Sequence, residues 1–376
     1  MRILIAGRGF DSLSRRETGA FEKDQALALS RLGHDVRFAA TDTRSLRRLR
    51  PLGLREYELD GMRVVYCAIP AGATPAFLSK RALRSASERI WDRLDAENWR
   101  PDIVHAHFGA AMLEKARRRG IPTVYTEHSS RANADAVSPA EERREREEYG
   151  LADRLVCVSG ALARRIASRI GMRSSVIPNI ADPVFLSAGT GNDVPHAGFR
   201  FVSAGNLISS KCFDVLLRAF ARIYAKMGKI AALTVIGDGP EEARLRELAR
   251  TLGTEDSVTF TGRLERSAMA ELYKESDAFV LASRSETFGV VLIEALSAGL
   301  PVITARSGGP EDFVDDSNGL LVPADDIAAL AEAMENMVRE ADRYDRAALA
   351  ASARERFSPG AVAGALTALY EEILSC

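Results

Sequence analysis

Two glutamates near the carboxyl end of the chain are spaced as if to serve one extended ligand. Glu286 and Glu294 have seven residues between them, and Glu294 is the only charged side chain between Thr287 and Pro301. A helix over this segment surrounds Glu294 with small or apolar neighbours at three and four residues, namely Val290, Val291, Ser297 and Ala298. That pattern is not typical of a solvent-facing stripe. A buried carboxylate must accept hydrogen bonds, and ligand hydroxyls would supply them.

Glu286 stands just before the expected helix, where the first backbone amides have no partner within the helix. These amides belong to Thr287, Phe288, Gly289 and Val290. One interpretation is that Glu286 caps them; the other is that Glu286 and the amides together bind a polyhydroxylated ligand. Eight helical residues rise about 12 Å, which matches the reach of a nucleotide sugar from its sugar to its ribose. We therefore expect one glutamate to bind sugar hydroxyls and the other to bind ribose hydroxyls.

The composition is that of an ordinary globular protein of about two domains. The chain has 376 residues, of which 46% are hydrophobic and 27% charged, and this length exceeds what one hydrophobic core usually serves. No run of eighteen apolar residues occurs, and the first residues do not form a signal peptide, so we expect a cytoplasmic protein. Four scattered cysteines form no close pair that would indicate a zinc site or a disulfide, and reduced thiols are expected.

Charge is distributed unevenly along the chain. Residues 1–190 carry a net charge of +8 and the remainder carries −9. A basic half indicates an anionic partner, such as a phospholipid surface or a pyrophosphate-linked acceptor, although milder asymmetry is common in proteins without such partners. Basic stretches at Arg44–Arg50 and Lys80–Arg84 suit an anionic membrane surface, or else form a solvated face. We expect no nucleic-acid partner.

Short apolar runs rich in β-branched residues alternate with amphipathic helical stretches throughout the chain, which predicts an α/β fold with two doubly wound parallel sheets. A turn-rich stretch between residues 187 and 198 predicts the domain connection. We therefore expect Rossmann-like domains at residues 1–186 and 199–358 and a last helix at 359–376 that crosses back to the first domain. In such folds ligands bind at the carboxyl ends of the strands, here in the cleft between the domains.

The segment around the two glutamates resembles a known family. Glu286-Thr-Phe-Gly-Val-Val-Leu-Ile-Glu294, followed by Gly299-Leu-Pro301 and Ser307-Gly308-Gly309, is similar to the paired-glutamate motif of the retaining glycosyltransferases of family 4, which have the GT-B fold. The resemblance covers nearly the whole chain and includes bacterial enzymes of polysaccharide and glycolipid synthesis. Further similar segments are Gly33–Val36, Pro101–His107, Val158–Ser159, Ile177–Asn179, Gly237–Pro240 and Asn318–Leu321.

The resemblance implies a set of site residues. The catalytic residues would be Glu286, Lys211, which neutralises the leaving pyrophosphate, and His128, which reaches the donor sugar; alternatively, His128 is structural. The donor-binding residues would be Gly19, Asn206, Arg263, Leu264, Thr287, Phe288, Gly289, Val290 and Glu294.

Two positions depart from the family pattern. Asn206 stands where an arginine is usual, and Cys212 replaces a common glycine. We hypothesise that Arg8 or Arg284 supplies the missing positive charge, because both are predicted at strand ends facing the cleft. His105 and His107 point the same way along one strand; they could be read as metal ligands, but no third ligand is near in sequence, and the resemblance implies that no metal is used.

The implied reaction transfers a sugar from a nucleoside diphosphate, with UDP favoured, to a hydroxyl of a glycan or polyprenyl-diphosphate-linked acceptor, with retained anomeric configuration and without any cofactor. We also expect peripheral association with the inner face of the membrane. A GDP-mannose-dependent mannosyltransferase, a nucleotide-sugar epimerase on the same fold and a non-catalytic nucleotide-sugar binder remain alternatives.

Overall fold

In the computed structural model, two α/β units each contain one sheet. The structure describes residues 1–8, 20–43, 52–71, 74, 76–107, 110–133, 137–187, 198–227 and 231–375. The first unit comprises Met1–Val158, Ala163–Ile180 and Val362–Cys376, and the second comprises Ser159–Leu162 and Ala181–Ala361. Among the described residues, no helix is both long and apolar enough to cross a lipid bilayer.

The first sheet has the strand order β3-β4-β2-β1-β5-β6-β7-β8. Every neighbouring pair is parallel except β3 with β4. The elements are β1 Arg2–Arg8, α1 Ala20–Arg31, β2 Asp35–Thr43, β3 Gly53–Leu59, β4 Met62–Ile69, α2 Ala76–Ala96, β5 Ile103–Ala106, α3 Ala111–Arg118, β6 Thr123–Glu127, α4 Pro139–Tyr149, β7 Arg154–Cys157, α5 Gly160–Ile170 and β8 Ser175–Val176.

The second sheet is wholly parallel and has the order β11-β10-β9-β12-β13-β14. Its elements and those that follow are α6 Pro183–Ser187, β9 Phe199–Ala204, α7 Phe213–Lys226, β10 Ala231–Ile236, α8 Glu242–Thr251, β11 Val258–Gly262, α9 Arg266–Lys274, β12 Ala278–Leu281, α10 Val290–Ser297, β13 Val302–Ala305, β14 Gly319–Val322, α11 Ile327–Glu340, α12 Arg346–Phe357 and α13 Pro359–Ser375.

Continuous apolar runs in the sequence predict the positions of the parallel strands, because helices cover both faces of these strands. The predicted strand 103–106 is strand β5, and 278–281 is strand β12. Strand β3 lacks such a run, since it contains Arg55, Glu56 and Glu58 and lies at an exposed edge of the sheet. It is joined to β4 by Asp60 and Gly61, both with positive φ (48° and 80°). An Asp-Gly pair of this kind is a strong sequence signal for a hairpin.

Helix α13 belongs in part to the core of the first unit. Its apolar residues Val362, Leu366 and Tyr370 are buried in one cluster with Ile3 of β1 and Phe38 of β2. His34 and Thr367 are also joined by a hydrogen bond of 2.9 Å. The end of the chain thus completes the hydrophobic core on which strands β1 and β2 rest.

We predict that Leu366→Ala lowers the free energy of unfolding of the first unit by about 2–5 kcal/mol, because it leaves a cavity at a fully buried position. The measurement is urea unfolding followed by tryptophan fluorescence, since the two tryptophans, Trp91 and Trp99, both lie in the first unit. Leu374→Ala on the same helix is the control, because Leu374 is exposed. Equal midpoints for the two variants would contradict this role of α13.

Candidate active site

The second unit brings Lys211 and Glu286 together at the centre of its sheet. Lys211 follows β9 and Glu286 follows β12, and these strands are neighbours. The Lys211 ammonium donates to Glu286 Oε1 at 2.5 Å, with the two side chains 23% and 11% exposed. The chain continues from β9 to β10 on one side and from β12 to β13 on the other, and open α/β sheets bind ligands at such a point.

Backbone hydrogen bonds hold the Glu286 loop against the loop that follows β13. Glu286 donates its N–H to Ser307 O at 2.9 Å and accepts from Gly309 N at 2.9 Å. A Cβ at Gly309 would lie 2.4 Å from Phe288 Cα, so only glycine fits there. The Ser-Gly-Gly segment singled out in the sequence therefore fixes the backbone that carries Glu286.

The start of helix α10 presents unpaired amides beside Glu286. Gly289 is the N-cap with φ 96°, and no side chain caps the helix. Within the described part of the chain, the amides of Thr287, Phe288, Gly289 and Val290 have no hydrogen-bond acceptor. Glu286 does not cap them, so the capping interpretation is wrong. The amides and the helix dipole leave a site suited to an anion.

The two glutamates do not lie on one continuous helix. Helix α10 begins at Val290, and Glu286 forms a bridge to Gly308 in extended backbone. The rise of eight helical residues therefore does not measure the separation of Glu286 and Glu294. Glu294 is in the helix as expected and is buried, with 6% of its surface exposed. Burial raises the pKa of Tyr273, and the charge of Glu294 raises it further.

The other residues predicted to bind the donor lie at the same edge of the second sheet. Asn206 is exposed in the loop after β9. Arg263 follows β11 and forms an exposed ion pair with Asp238 at 3.1 Å, while Leu264 beside it is half-buried. Cys212 is buried with φ 51°, in the left-handed region that glycine tolerates best. Gly19 lies outside the described residues.

Both arginines suggested as replacements for the missing family arginine have carboxylate partners. Arg284 donates to both oxygens of Asp325, at 2.6 and 2.7 Å. Arg8, at the end of β1, donates to the buried Glu22 at 3.1 Å. A ligand phosphate would compete with these carboxylates. Asp325 is distant from Arg284 in sequence, so no local signal identifies this pair.

Three buried histidines lie side by side in the first unit. The rings of His105 and His107 stack with centroids 4.3 Å apart, which confirms that they point the same way. His107 Nδ1 and His128 Nε2 are 2.9 Å apart, so one ring donates a hydrogen bond to the other. His105 uses both ring nitrogens, on Tyr370 and on Thr126, at 2.6 Å each. His128 is thus held by its own unit, and its contact with a sugar stays a prediction.

All three rings are neutral near pH 7. Burial lowers the pKa of His105 to about 3, with a smaller contribution from His128. Burial and the charge of Arg8 lower the pKa of His128 to about 3, although the Asn179 side chain raises it slightly. Burial also lowers the pKa of His107 well below its usual value. A charged imidazolium would be costly here because burial removes it from water.

We predict that these histidines destabilise the protein as the pH falls. Their folded pKa values are lowered, so below about pH 6.5 the unfolded state binds more protons, and each histidine costs about 1.4 kcal/mol per pH unit. The Cε1 proton resonances of His105, His107 and His128 should not titrate between about pH 8 and pH 5. Tryptophan-monitored unfolding over the same range should show falling stability. An imidazole resonance from this group that titrates near pH 6.5 would contradict the assignment.

Comparisons with known proteins match both units. The model for "Glycosyltransferase Family 4" matches residues 23–185, and the model for "Glycosyl transferases group 1" matches residues 192–356. A D-inositol 3-phosphate glycosyltransferase of Nocardiopsis dassonvillei is 31% identical over 66% of this chain and 65% of its own. The same enzyme of Acidothermus cellulolyticus is 30% identical over 62% of this chain and 58% of its own. The chain thus spans less than two thirds of the length of these relatives.

Solved structures share the fold along the full chain. A sucrose-phosphate synthase from Thermosynechococcus elongatus superposes with a TM-score of 0.79 at 20% identity, covering 100% of this chain and 99% of its own. The Anabaena protein HepE in complex with UDP gives a TM-score of 0.75 at 19% identity, covering 99% and 100%. The two family models account for the two units in order, and the solved neighbours have the same α/β architecture. The chain therefore belongs to glycosyltransferase family 4 and has the GT-B fold.

Proposed function

We propose that this protein is a retaining, metal-independent glycosyltransferase that uses a nucleoside-diphosphate sugar as donor. The observation that carries the proposal is the Lys211–Glu286 pair beside the unpaired amides of α10. A cation and free amides suit a diphosphate, and a carboxylate suits sugar hydroxyls. These three groups lie at the same edge of the second sheet, after the neighbouring strands β9 and β12.

The strand order indicates which end of the donor lies near which strand of that edge. Arg263 and Leu264 follow β11, which is three strands from β12, or about 14 Å at the usual strand spacing. We place the nucleobase near β11, the diphosphate at Lys211 and the α10 amides, and the sugar at Glu286. Glu294 binds the ribose, as the family resemblance implies. Binding would exchange the Lys211–Glu286 bond for bonds to phosphate and to sugar hydroxyls.

The protein's contribution to the reaction is electrostatic. The bond from the anomeric carbon to the diphosphate oxygen breaks, and the acceptor oxygen bonds to that carbon on the same face. The acceptor proton passes to the leaving phosphate oxygen. Lys211 and the amides of Gly289 and Val290 stabilise the charge on the departing diphosphate. His128 binds the sugar near the reacting carbon, as the family resemblance implies.

A cavity of about 770 Å³ in the first unit is the proposed acceptor site. It runs along the carboxyl ends of β2, β1 and β6 and includes the start of α3, so it is at the edge where such sheets bind ligands. Its wall includes Lys80 of α2, together with Arg84 and Arg8, which pair with Glu114 and Glu22. These groups suit an acceptor with a phosphate, such as a polyprenyl-diphosphate-linked glycan or a phosphorylated polyol like the one named for the relatives.

UDP is the favoured donor nucleotide, and one solved neighbour was determined with UDP-glucose. The cytoplasm and the inner face of an anionic membrane are the proposed location, supported by Lys80, Arg81 and Arg84 on α2. Arg44–Arg50, the other basic stretch, lies outside the described residues. Release of nucleotide from a panel of UDP- and GDP-sugars, with and without added acceptor, tests the function. A transferase requires the acceptor, whereas an epimerase releases little nucleotide and a binder releases none.

We predict that Lys211→Ala lowers kcat/KM for the donor by about 10²–10³-fold, because the leaving diphosphate loses its cation. Nucleotide release under initial-rate conditions measures this. Lys226→Ala is the matched control, since Lys226 is an exposed lysine of α7 paired with Glu335. If the Lys211 variant transferred sugar at the parent rate, the proposed placement of the diphosphate would be wrong.

A further inference from the structure

Glu127 is a buried carboxylate in the wall of the cavity of the first unit. It is the last residue of β6, lines the cavity and is only 5% exposed. Burying a carboxylate is costly unless hydrogen-bond donors surround it. The groups around Glu127 therefore show what kind of ligand its free acceptor positions can take.

Two fixed donors orient the Glu127 carboxylate. Ser129 donates its backbone N–H to Oε1 at 2.5 Å, and the Tyr149 hydroxyl donates to Oε2 at 2.6 Å. Burial raises the pKa of Tyr149, and the charge of Glu127 raises it further, so the phenol remains a donor. A carboxylate has about four acceptor positions. Two remain for a ligand, one on each oxygen.

Most other carboxylates of the cavity wall have an arginine partner, and Glu127 differs from these. Four of them form ion pairs: Glu114 with Arg84, Glu141 with Arg131, Glu145 with Arg169 and Glu148 with Arg144. Within the described part of the chain, no lysine, arginine or histidine nitrogen lies within 4.0 Å of the Glu127 carboxylate. Its fixed partners are neutral donors, and neutral hydroxyls are the ligand groups that complete such a set.

We propose that Glu127, oriented by Tyr149, binds two hydroxyls of a polyol acceptor and thereby selects which acceptor is glycosylated. The inference rests on the proposed function, because it assigns the acceptor to this cavity. Phosphate is repelled at Glu127, so an anionic part of the acceptor must lie toward β2 and α2, near Lys80. Strand β2 is three strand spacings from β6, or about 14 Å. A sugar or inositol ring with one phosphate is shorter than this distance, so a ring at Glu127 can direct its phosphate toward α2 without leaving the cavity.

The test compares Glu127→Gln with the parent enzyme, using the donor selected by the nucleotide-release panel. The acceptor probes are myo-inositol 1-phosphate and methyl α-glucoside, followed by monodeoxy analogues of whichever is glycosylated. We expect the acceptor KM to rise about 10–100-fold in Glu127→Gln, because a charged acceptor of hydrogen bonds becomes a neutral one. Donor KM and acceptor-free hydrolysis should change less than about twofold. Glu142→Gln, a carboxylate of α4 outside the cavity wall, is the matched control.

Deoxy analogues make the assignment specific. An analogue that lacks the bound hydroxyl should lose affinity for the parent enzyme but not for Glu127→Gln, because the two changes remove the same bond. Tyr149→Phe, which leaves the carboxylate in place with only the Ser129 amide to orient it, should raise the acceptor KM by a smaller factor. Tyr149→Phe also tests the proposal if tryptophan-monitored unfolding shows that Glu127→Gln does not fold.

Unchanged acceptor KM in the folded Glu127→Gln variant would overturn the proposal, as would an equal loss for every deoxy analogue in both enzymes. Failure of the proposed function gives a different result. In that case the parent enzyme releases no nucleotide in response to any acceptor, and Glu127→Gln is not distinguishable from the parent in any transfer assay.

Discussion

The ion pair between Lys211 and Glu286 is the interaction on which the proposed donor site depends. It joins the loops that follow β9 and β12, and the backbone bonds from Glu286 to Ser307 and Gly309 add the loop after β13. A largely buried ion pair contributes little net stability, because desolvation offsets its attraction. The pair instead positions the two side chains. A phosphate can replace Glu286 as the partner of Lys211, and a hydroxyl group can replace Lys211 as the partner of Glu286.

Both units keep their polar groups at the carboxyl ends of parallel strands, but they satisfy them differently. In the second unit, charged groups pair with each other and leave the α10 amides open. In the first unit, the buried histidines are neutral and hydrogen bond to Tyr370, to Thr126 and to one another. Helix α13 supplies Tyr370, so the last helix of the chain supports the histidines as well as the core.

The sequence predicts the sheets well and the pairs within the sites poorly. Parallel strands such as β5 and β12 are continuous apolar runs, which local patterns reveal. The edge strand β3 is polar, and only its Asp60-Gly61 turn indicates it. Motif similarity identifies Glu286 and Lys211, but their contact joins residues 75 positions apart and depends on strand order. The same holds for Arg284 with Asp325, and the helical spacing estimate failed because residues 286–289 are not helical.

The net positive charge of residues 1–190 is distributed over a unit that contains many ion pairs. Many arginines of the first unit are paired, as Arg63 is with Glu56 and Arg119 is with Asp95, yet pairing does not remove an excess of +8 in residues 1–190. The excess raises the potential of the whole unit and favours anionic ligands at a distance. In the proposed acceptor site, Glu127 acts at short range and in the opposite sense, since its charge repels phosphate at the end of the cavity at β6. Long-range attraction and local repulsion would together orient the proposed acceptor, which is anionic at one end and polyhydroxylated at the other.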